Sequence, residues 1–309
     1  MKREQPGLSD YGLLIALAMI WGGSFLLQKL AVAEVAPITM TAARQLIGAA
    51  IMAAVLVFSG KKIRATWREH GLIFLCAVFG NALPFSLISS GLQVIDSGLA
   101  AILMGAMPLI TILLAHFVTE DEKLNSTKLM AVGLGIAGLV ILFWPSLAGG
   151  VTQNLFSQLI VFGGAVCYAI NSLITKKLIH LDATMLMGTA IGWSAVILLP
   201  AAVLLEGRPT ELPGPLASVS ILLLAMLPTV VASYLMYALI SRQGAGFFGQ
   251  INLLVPIAGV FWGTLILAEK LPWNAWLALC VILGGIAVSR NWNANRNSSK
   301  QQQQTTGTK

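Results

Sequence analysis

The sequence predicts an all-α polytopic membrane protein, with ten transmembrane helices arranged as two inverted five-helix repeats around a central cavity. Three observations predict it. Of 309 residues, 57% are hydrophobic and only 10% charged, where a soluble globular domain would be roughly one quarter charged. The apolar residues fall in runs about twenty long, the length with which a helix crosses about 30 Å of hydrocarbon. One pattern also occurs twice. Met107-Pro108-Leu109, Glu122-Lys123-Leu124 and Gly138-Leu139 are answered by Val255-Pro256, Glu269-Lys270-Leu271 and Gly284-Gly285-Ile286. Pro108 precedes Pro256 by 148 residues and Lys123 precedes Lys270 by 147, and a spacing of nearly half the chain indicates duplication.

The spans, numbered in order, are expected at 11–33, 37–59, 70–91, 97–118, 127–145, 154–176, 183–205, 216–240, 246–268 and 272–289. Five per repeat is an odd number, so the second repeat enters the membrane from the opposite side, as is common in secondary transporters. The expected units are an N-terminal tail 1–10, a first repeat 11–145, a linker 146–153, a second repeat 154–289 and a polar tail 290–309. That tail carries a Gln run and is expected to be disordered and cytoplasmic. The first span is too long for a signal peptide and lacks a small-residue cleavage site, so no cleavable signal is expected.

The net charge of +7 is an orientation signal. With the N-terminus inside, the inner loops and tails hold fifteen Lys and Arg residues, and the outer loops hold only Arg208 and Lys270. That bias puts both termini in the cytoplasm and argues against nucleic acid as a partner. The lipid bilayer and a small-molecule substrate are the expected partners. Cys76, Cys167 and Cys280 all fall within spans without CxxC spacing, and are expected to be small buried hydrophobes.

Taken in order, helix 1 carries Trp21, Ser24 and Gln28 as one stripe. Shifted by 147 residues they meet Tyr168, Asn171 and Thr175 of helix 6, while Lys29 meets Lys176. Helix 2 holds Arg44 about two turns in, where an unpaired charge is costly. Pairing with Glu34, Asp96 or outer helix-end carbonyls is the expected role, and binding a substrate carboxylate is the alternative. Helix 3 sets Asn81, Phe85 and Ser89 on one face around Pro84; helix 4 offers Met104, Met107 and Thr111 beside Pro108. Helix 8 has Pro228, Ser233, Tyr234 and Tyr237, and helix 9 has Gln250 and Asn252 before Pro256.

Each in-span proline frees a carbonyl, which lipid tolerates only where protein or a wet cavity satisfies it. Taken singly, each of Pro84, Pro108, Pro228 and Pro256 reads equally well as a packing kink. Together, on symmetry-related helices that also carry the polar residues, they read as hinges around a shared cavity. Helices 5 and 10 carry Gly133, Gly135, Gly138, Gly284 and Gly285 with few polar side chains. They are expected to pack closely, against the bundle of a monomer or between the subunits of a dimer. Lys29 is expected to snorkel at the C-terminal end of its helix, and Glu122 and Glu269 to cap or tie turns.

These residues resemble the drug/metabolite transporter superfamily: a proline helix, a Glu-Lys-Leu turn and a glycine helix, doubled in one chain. The helix count fits the ten-helix EamA type. The match covers roughly 11–289, and Trp21-Gly22, Arg44, Glu122 and Glu269 fit it residue by residue. Within the superfamily the chain is similar to bacterial exporters of amino acids and metabolites, including aromatic amino acids. The resemblance implies a basket-like bundle with helices 1, 3, 4, 6, 8 and 9 around a cavity, and a place in the cell inner membrane. One departure matters. Small multidrug exporters of the superfamily carry a glutamate midway along helix 1, where this chain has Ile20-Trp21-Gly22-Gly23. No Asp or Glu falls mid-span; Asp96, Glu122 and Glu269 all sit at helix ends. A drug–proton antiporter wants such a carboxylate.

Other chemistries find no support. There is no GxxxxGK[ST] for ATP, no GxSxG elbow for a hydrolase, and no catalytic set, cofactor motif or metal cluster is expected. His70 and His180 are expected to be solvated, and His116 to be interfacial or, alternatively, a proton-sensitive gate. The expected binding residues are Trp21, Ser24, Asn81, Phe85, Ser89, Met104, Met107, Tyr168, Asn171, Tyr234, Tyr237, Gln250 and Asn252, a neutral aromatic and thioether set suited to an amphipathic or zwitterionic solute. The expected function is export of amino acids or related metabolites by alternating access, without a demand for ion coupling. The alternatives are another small solute (purine, vitamin, sugar or drug), and a non-transporting membrane enzyme or assembly factor.

Overall fold

Each apolar run folds as a helix in the computed structural model, which describes residues 6–60, 65–120, 122–148, 153–209 and 211–306. The helices are α1 (Leu8–Ala31), α2 (Pro37–Phe58), α3 (Trp67–Leu92), α4 (Ser97–Val118) and α5 (Ser126–Ala148), then α6 (Gln153–Lys176), α7 (Ala183–Glu206), α8 (Pro215–Gln243), α9 (Ala245–Ile266) and α10 (Trp273–Thr306). Among the described residues nine are long and apolar enough to span a bilayer, and the apolar part of α10, Trp273–Ser289, is a shorter tenth. The chain is a multi-pass, all-helical membrane protein. Pro37 and Pro215 open α2 and α8, where a missing N–H costs nothing and φ is already helical.

Packing repeats with the halves exchanged. α1 packs on α8 and α9, and α6 packs on α3 and α4. The self-related pairs α2 with α7 and α5 with α10 make the other main contacts. This is the two-fold relation expected of inverted repeats.

α1 and α9 approach backbone to backbone, where a Cβ on Gly22 would lie 2.6 Å from Ala258 Cβ and 2.7 Å from the Gly259 nitrogen. Backbone cannot yield there, so Gly22→Ala is expected to cost roughly 1–3 kcal/mol, the usual range for overpacking. Gly133→Ala meets nothing within 4 Å and is expected to be neutral or stabilising, by up to about 1 kcal/mol of helix propensity. Thermal unfolding of both variants in detergent checks the pair. Other glycines of α5 and α10 pack within the chain: Gly138 faces Ile282 and the Ala278 carbonyl, and Gly285 faces the Ala131 carbonyl, while Gly284, like Gly133, meets nothing within 4 Å.

Regular helix fails at related places. α3 widens into a π-helical stretch, Val78–Ala82, just before Pro84. α8 does the same over Ala225–Val231, around Pro228. α4 breaks at Gly105–Ala106 ahead of Pro108, and α9 at Gly249–Gln250, six residues ahead of Pro256. π-turns and breaks of this kind absorb the bond a proline removes.

Successive helices alternate in direction. The loops after α1, α3, α5, α7 and α9 therefore gather at one end (the far end), opposite the end where α1 begins. The far end is held by carboxylates from other segments that accept backbone N–H groups at helix starts. Glu206 accepts from Ile38 at 2.9 Å and Thr39 at 2.7 Å, Glu34 from Gly214 at 2.7 Å, and Glu269 from Ser97 at 2.7 Å and Gly98 at 2.9 Å. Such pairs combine a charge-assisted bond with the favourable end of the helix dipole. Lys29 does more than snorkel: its Nζ donates to the Leu92 and Ile95 carbonyls, both at 2.8 Å, tying α1 to the end of α3. Burial and the Glu269 carboxylate push the Asp96 carboxyl above its ordinary range, with Lys29 opposing.

At the other end the carboxylates and amides that cap helix starts come from each helix's own sequence: Asp10 for α1, Glu69 for α3, Asn125 for α5 and Asp182 for α7. There Glu122 holds no helix start among the described residues; it pairs with Lys176 at 2.7 Å on an exposed surface. The far halves of α4 and α9 pack together, Gly98 against Leu271 and Val260, and Gly105 against Pro256. Among the described residues no comparable packing joins Met107–Val118 to Ala245–Phe248.

Two expectations are corrected. His180 is not merely solvated, since its Nε2 lies 2.6 Å from a Glu69 oxygen. Cys76 and Cys167 are buried, but Cys280 is exposed on α10. His116 lies at the end of α4, where it was expected, its Nδ1 accepting from Leu124 N–H at 3.2 Å.

Candidate functional site

The irregular segments converge on a cavity of about 390 Å³ at the centre of the bundle, within the size range of small-molecule sites. α1 supplies Trp21, Ser24 and Phe25, and α6 supplies their counterparts Tyr168, Asn171 and Ser172. The break in α4 turns Met104, Gly105, Met107 and Pro108 inward. α8 adds Pro228 and Met236, and α9 adds Phe248, Ile251, Asn252, Val255 and Pro256. Phe85 of α3 and Arg44 of α2 complete the lining.

The aromatic rings are fixed by each other and by freed backbone. Trp21 Nε1 donates to the Pro228 carbonyl at 3.3 Å, and its ring meets Phe248 edge-on at 6.1 Å. Phe85 and Tyr168 make a second edge-on pair at 6.1 Å. Ser24 Oγ donates to the Trp21 carbonyl at 2.6 Å, and Ser172 Oγ to the Ala169 carbonyl at 2.7 Å, the same device on both repeats.

Eight of the thirteen residues expected to bind line this cavity: Trp21, Ser24, Phe85, Met104, Met107, Tyr168, Asn171 and Asn252. Five do not. Asn81 falls inside the π-helical stretch, whose longer turn takes a residue four before Phe85 off the Phe85 face. Ser89 is buried but engaged, donating to Gln28 Oε1 at 3.1 Å, while Gln28 Nε2 donates to the Ser24 carbonyl at 3.1 Å. Tyr234 and Tyr237 are 38% and 56% exposed, because the seven-residue π segment turns Met236 inward instead. Gln250 sits in the α9 break, and the chain beyond it brings Ile251 and Asn252 to the cavity. Of the four prolines, Pro108, Pro228 and Pro256 line the cavity; Pro84 is buried, its carbonyl against Gly164 of α6.

Arg44 departs furthest from expectation. It is 2% exposed and lies at neither Glu34 nor Asp96; among the described residues no carboxylate is within ion-pair distance. Its Nε and Nη2 donate to Thr229 Oγ1 at 3.2 and 3.1 Å, and the guanidinium carbon stands 3.7 Å over the Phe85 ring. Thr229 can accept both because the π segment lets its own hydroxyl donate back to the Leu224 carbonyl, five residues earlier, at 2.9 Å. Arg44 Nη1 and Asn171 Oδ1 are buried without a hydrogen-bond partner among the described residues.

Phe248, Met236, Ile251 and Val255 were missed. Phe248 alone carried a signal, as an aromatic in the glycine-flanked run Gly244-Ala245-Gly246-Phe247-Phe248-Gly249 beside the polar pair already singled out. No carboxylate lines the cavity, and among the described residues no group of three His, Cys, Asp or Glu side chains could hold a metal.

A cavity lined by aromatic, thioether and polar groups, inside ten helices of inverted-repeat packing, is the architecture of a membrane transporter. The model of the EamA-like transporter family matches residues 9–144 and again 155–290; the chain belongs to that family. It is similar to "Uncharacterized transporter YoaV" of Bacillus subtilis (strain 168), 25% identical over 275 residues that cover 88% of this chain and 94% of the relative. It is also similar to "Probable amino-acid metabolite efflux pump" of Escherichia coli (strain K12), 25% identical over 289 residues, 91% and 94% of the two chains. "Uncharacterized inner membrane transporter YedA" of the same strain is 24% identical over 283 residues, 90% and 89%. A solved structure titled "Crystal structure of protein" shares the fold at a TM-score of 0.64 and 19% identity, covering 91% of this chain and 96% of that one.

Proposed function

We propose that the chain is a secondary transporter that exports amino acids or closely related small metabolites from the cytoplasm by alternating access. The observation that carries this reading is the cavity lining: two aromatic pairs and three thioethers beside neutral hydrogen-bonding groups, with one fixed cation and no carboxylate. An apolar side chain rests on the rings and sulfurs, and the backbone end of the solute meets Ser24, Asn171, Asn252 and Arg44. The relative in Escherichia coli named as an amino-acid metabolite efflux pump supports the same class of substrate.

Alternation follows from unequal closure of the two repeats. The far end is held by Glu269 and by the packed halves of α4 and α9, while the counterpart Glu122 is turned to Lys176. The π segments and breaks beside Pro84, Pro108, Pro228 and Pro256 are the hinges. With the basic loops on the cytoplasmic side, the far end faces outward. No carboxylate lines the cavity to exchange a solute for a proton, so this reading makes no demand for ion coupling.

Purified protein in liposomes preloaded with labelled amino acids, followed with and without a pH gradient, tests this. Efflux of apolar and aromatic amino acids, unchanged by the gradient and lost in Trp21→Ala, is expected. Acceleration by an opposing proton gradient would show coupling, and no efflux of any amino acid would end the substrate assignment.

A further inference from the structure

Two side chains that line one cavity each bury a polar atom without a hydrogen-bond partner among the described residues, and the two atoms are of opposite kind. Arg44 Nη1 is a cationic donor and Asn171 Oδ1 a neutral acceptor. Buried polar groups in folded proteins are nearly always satisfied, and each exception asks for an explanation. Packing alone does not explain Arg44. Thr229 takes two of its N–H groups and Phe85 covers one face, leaving the third nitrogen and the whole charge uncompensated at the centre of a membrane protein, where a cation is costly. Nor does packing explain Asn171. Its amide lies over Gly80 of α3, where a Cβ would be 2.8 Å away; the glycine makes room for the side chain without giving it a partner.

We propose that these two groups are the anchors of a zwitterionic solute: Arg44 takes its carboxylate and Asn171 its ammonium, so the cavity selects α-amino acids over both amines and deaminated acids. This rests on the amino-acid reading above and deepens it. The two side chains belong to one cluster. Phe85 touches both the Arg44 guanidinium and the Tyr168 ring. Asn171 follows Tyr168 by about one helical turn, on the same face of α6, and all four residues line the cavity. The guanidinium, seated by Thr229, offers a fixed direction to the carboxylate. The ammonium meets a neutral acceptor beside a ring face, a weaker hold than a carboxylate would give, so a lone amine binds poorly. An acid without the amino group leaves Asn171 Oδ1 buried and unmade, which is the strong form of discrimination.

The test measures binding and transport of three probes of one skeleton in proteoliposomes: L-phenylalanine, 3-phenylpropionate and phenethylamine. Wild-type protein is expected to bind phenylalanine at least about 10-fold more tightly than either relative, the scale of one lost charge-assisted bond. Arg44→Met is expected to weaken phenylalanine and phenylpropionate at least about 10-fold and leave phenethylamine unchanged, with Arg44→Lys intermediate. Asn171→Ala is expected to weaken phenylalanine and phenethylamine and leave phenylpropionate unchanged. Retained thermal unfolding transitions certify that the variants fold. If phenylalanine is carried but Arg44→Met weakens all three probes alike, or none, the anchoring is wrong and the amino-acid reading stands. If the wild type carries only phenethylamine or only phenylpropionate, both are wrong.

Discussion

Glu269→Ala is expected to move the protein toward a state open at the far end, and Glu122→Ala to leave that balance almost unmoved. The two glutamates occupy the same place in the two repeats, yet their surroundings differ. Glu269 accepts two backbone N–H groups at the start of α4, at 2.7 and 2.9 Å, and its neighbours Gly98 and Gly263 leave no room for another side chain. Bonds to a charged group are worth roughly 1.5–3 kcal/mol each; losing both from one state alone shifts a two-state balance by roughly 10²–10⁴-fold. The Glu122–Lys176 pair has side chains 42% and 45% exposed, and an exposed pair is worth about 0–1 kcal/mol. A cysteine at Ser24 in a Cys280→Ser background, alkylated by an impermeant maleimide from outside, reads the balance. Faster labelling with Glu269→Ala than with Glu122→Ala is expected. Equal rates in the two variants would show that the Glu269 contact does not close the far end.

The inverted architecture was legible in the sequence because it is written in long-range regularities: span length, a repeat near 147 residues and the placement of basic loops. Trp21 with Tyr168, and Ser24 with Asn171, were found the same way, since α1 and α6 are regular helices on which a 3.6-residue period holds. Where the helix is irregular, the same arithmetic failed. Asn81, Tyr234 and Tyr237 lie in or just beyond π-helical stretches, and a turn widened by one residue carries a side chain to another face. The carboxylates of Glu34 and Glu206 were opaque for another reason. Each caps a helix more than 160 residues away in sequence, and no local pattern announces such a partner. Arg44 was assigned by cost alone, and the nearest carboxylates in the expected topology were chosen to offset it. What offsets it is a threonine presented by the π segment of α8 and the face of Phe85, both invisible until the helices are assembled.

Arg44→Met is expected to raise the thermal stability of the empty protein while abolishing amino-acid transport. A cation held only for packing would behave in the opposite way, because removing one member of a satisfied buried pair is strongly destabilising. Arg44 is 2% exposed, faces no carboxylate among the described residues and keeps an unsatisfied nitrogen. Its favourable contacts are two bonds to one hydroxyl and a ring face at 3.7 Å, worth about 0.5–2 kcal/mol each. The desolvation of a guanidinium costs several kcal/mol. Methionine keeps the stem, fills the space and leaves Thr229 satisfied through its bond to the Leu224 carbonyl. A gain of about 1 kcal/mol or more is expected, read as a higher unfolding temperature in detergent. Phenylalanine should stabilise the wild type and not the variant, since a ligand raises stability only as far as it binds the folded state. A lower unfolding temperature for Arg44→Met would mean that the guanidinium is structural, held for the bundle and not for the solute. A higher one, together with lost transport, identifies a site whose strain is relieved by what it carries.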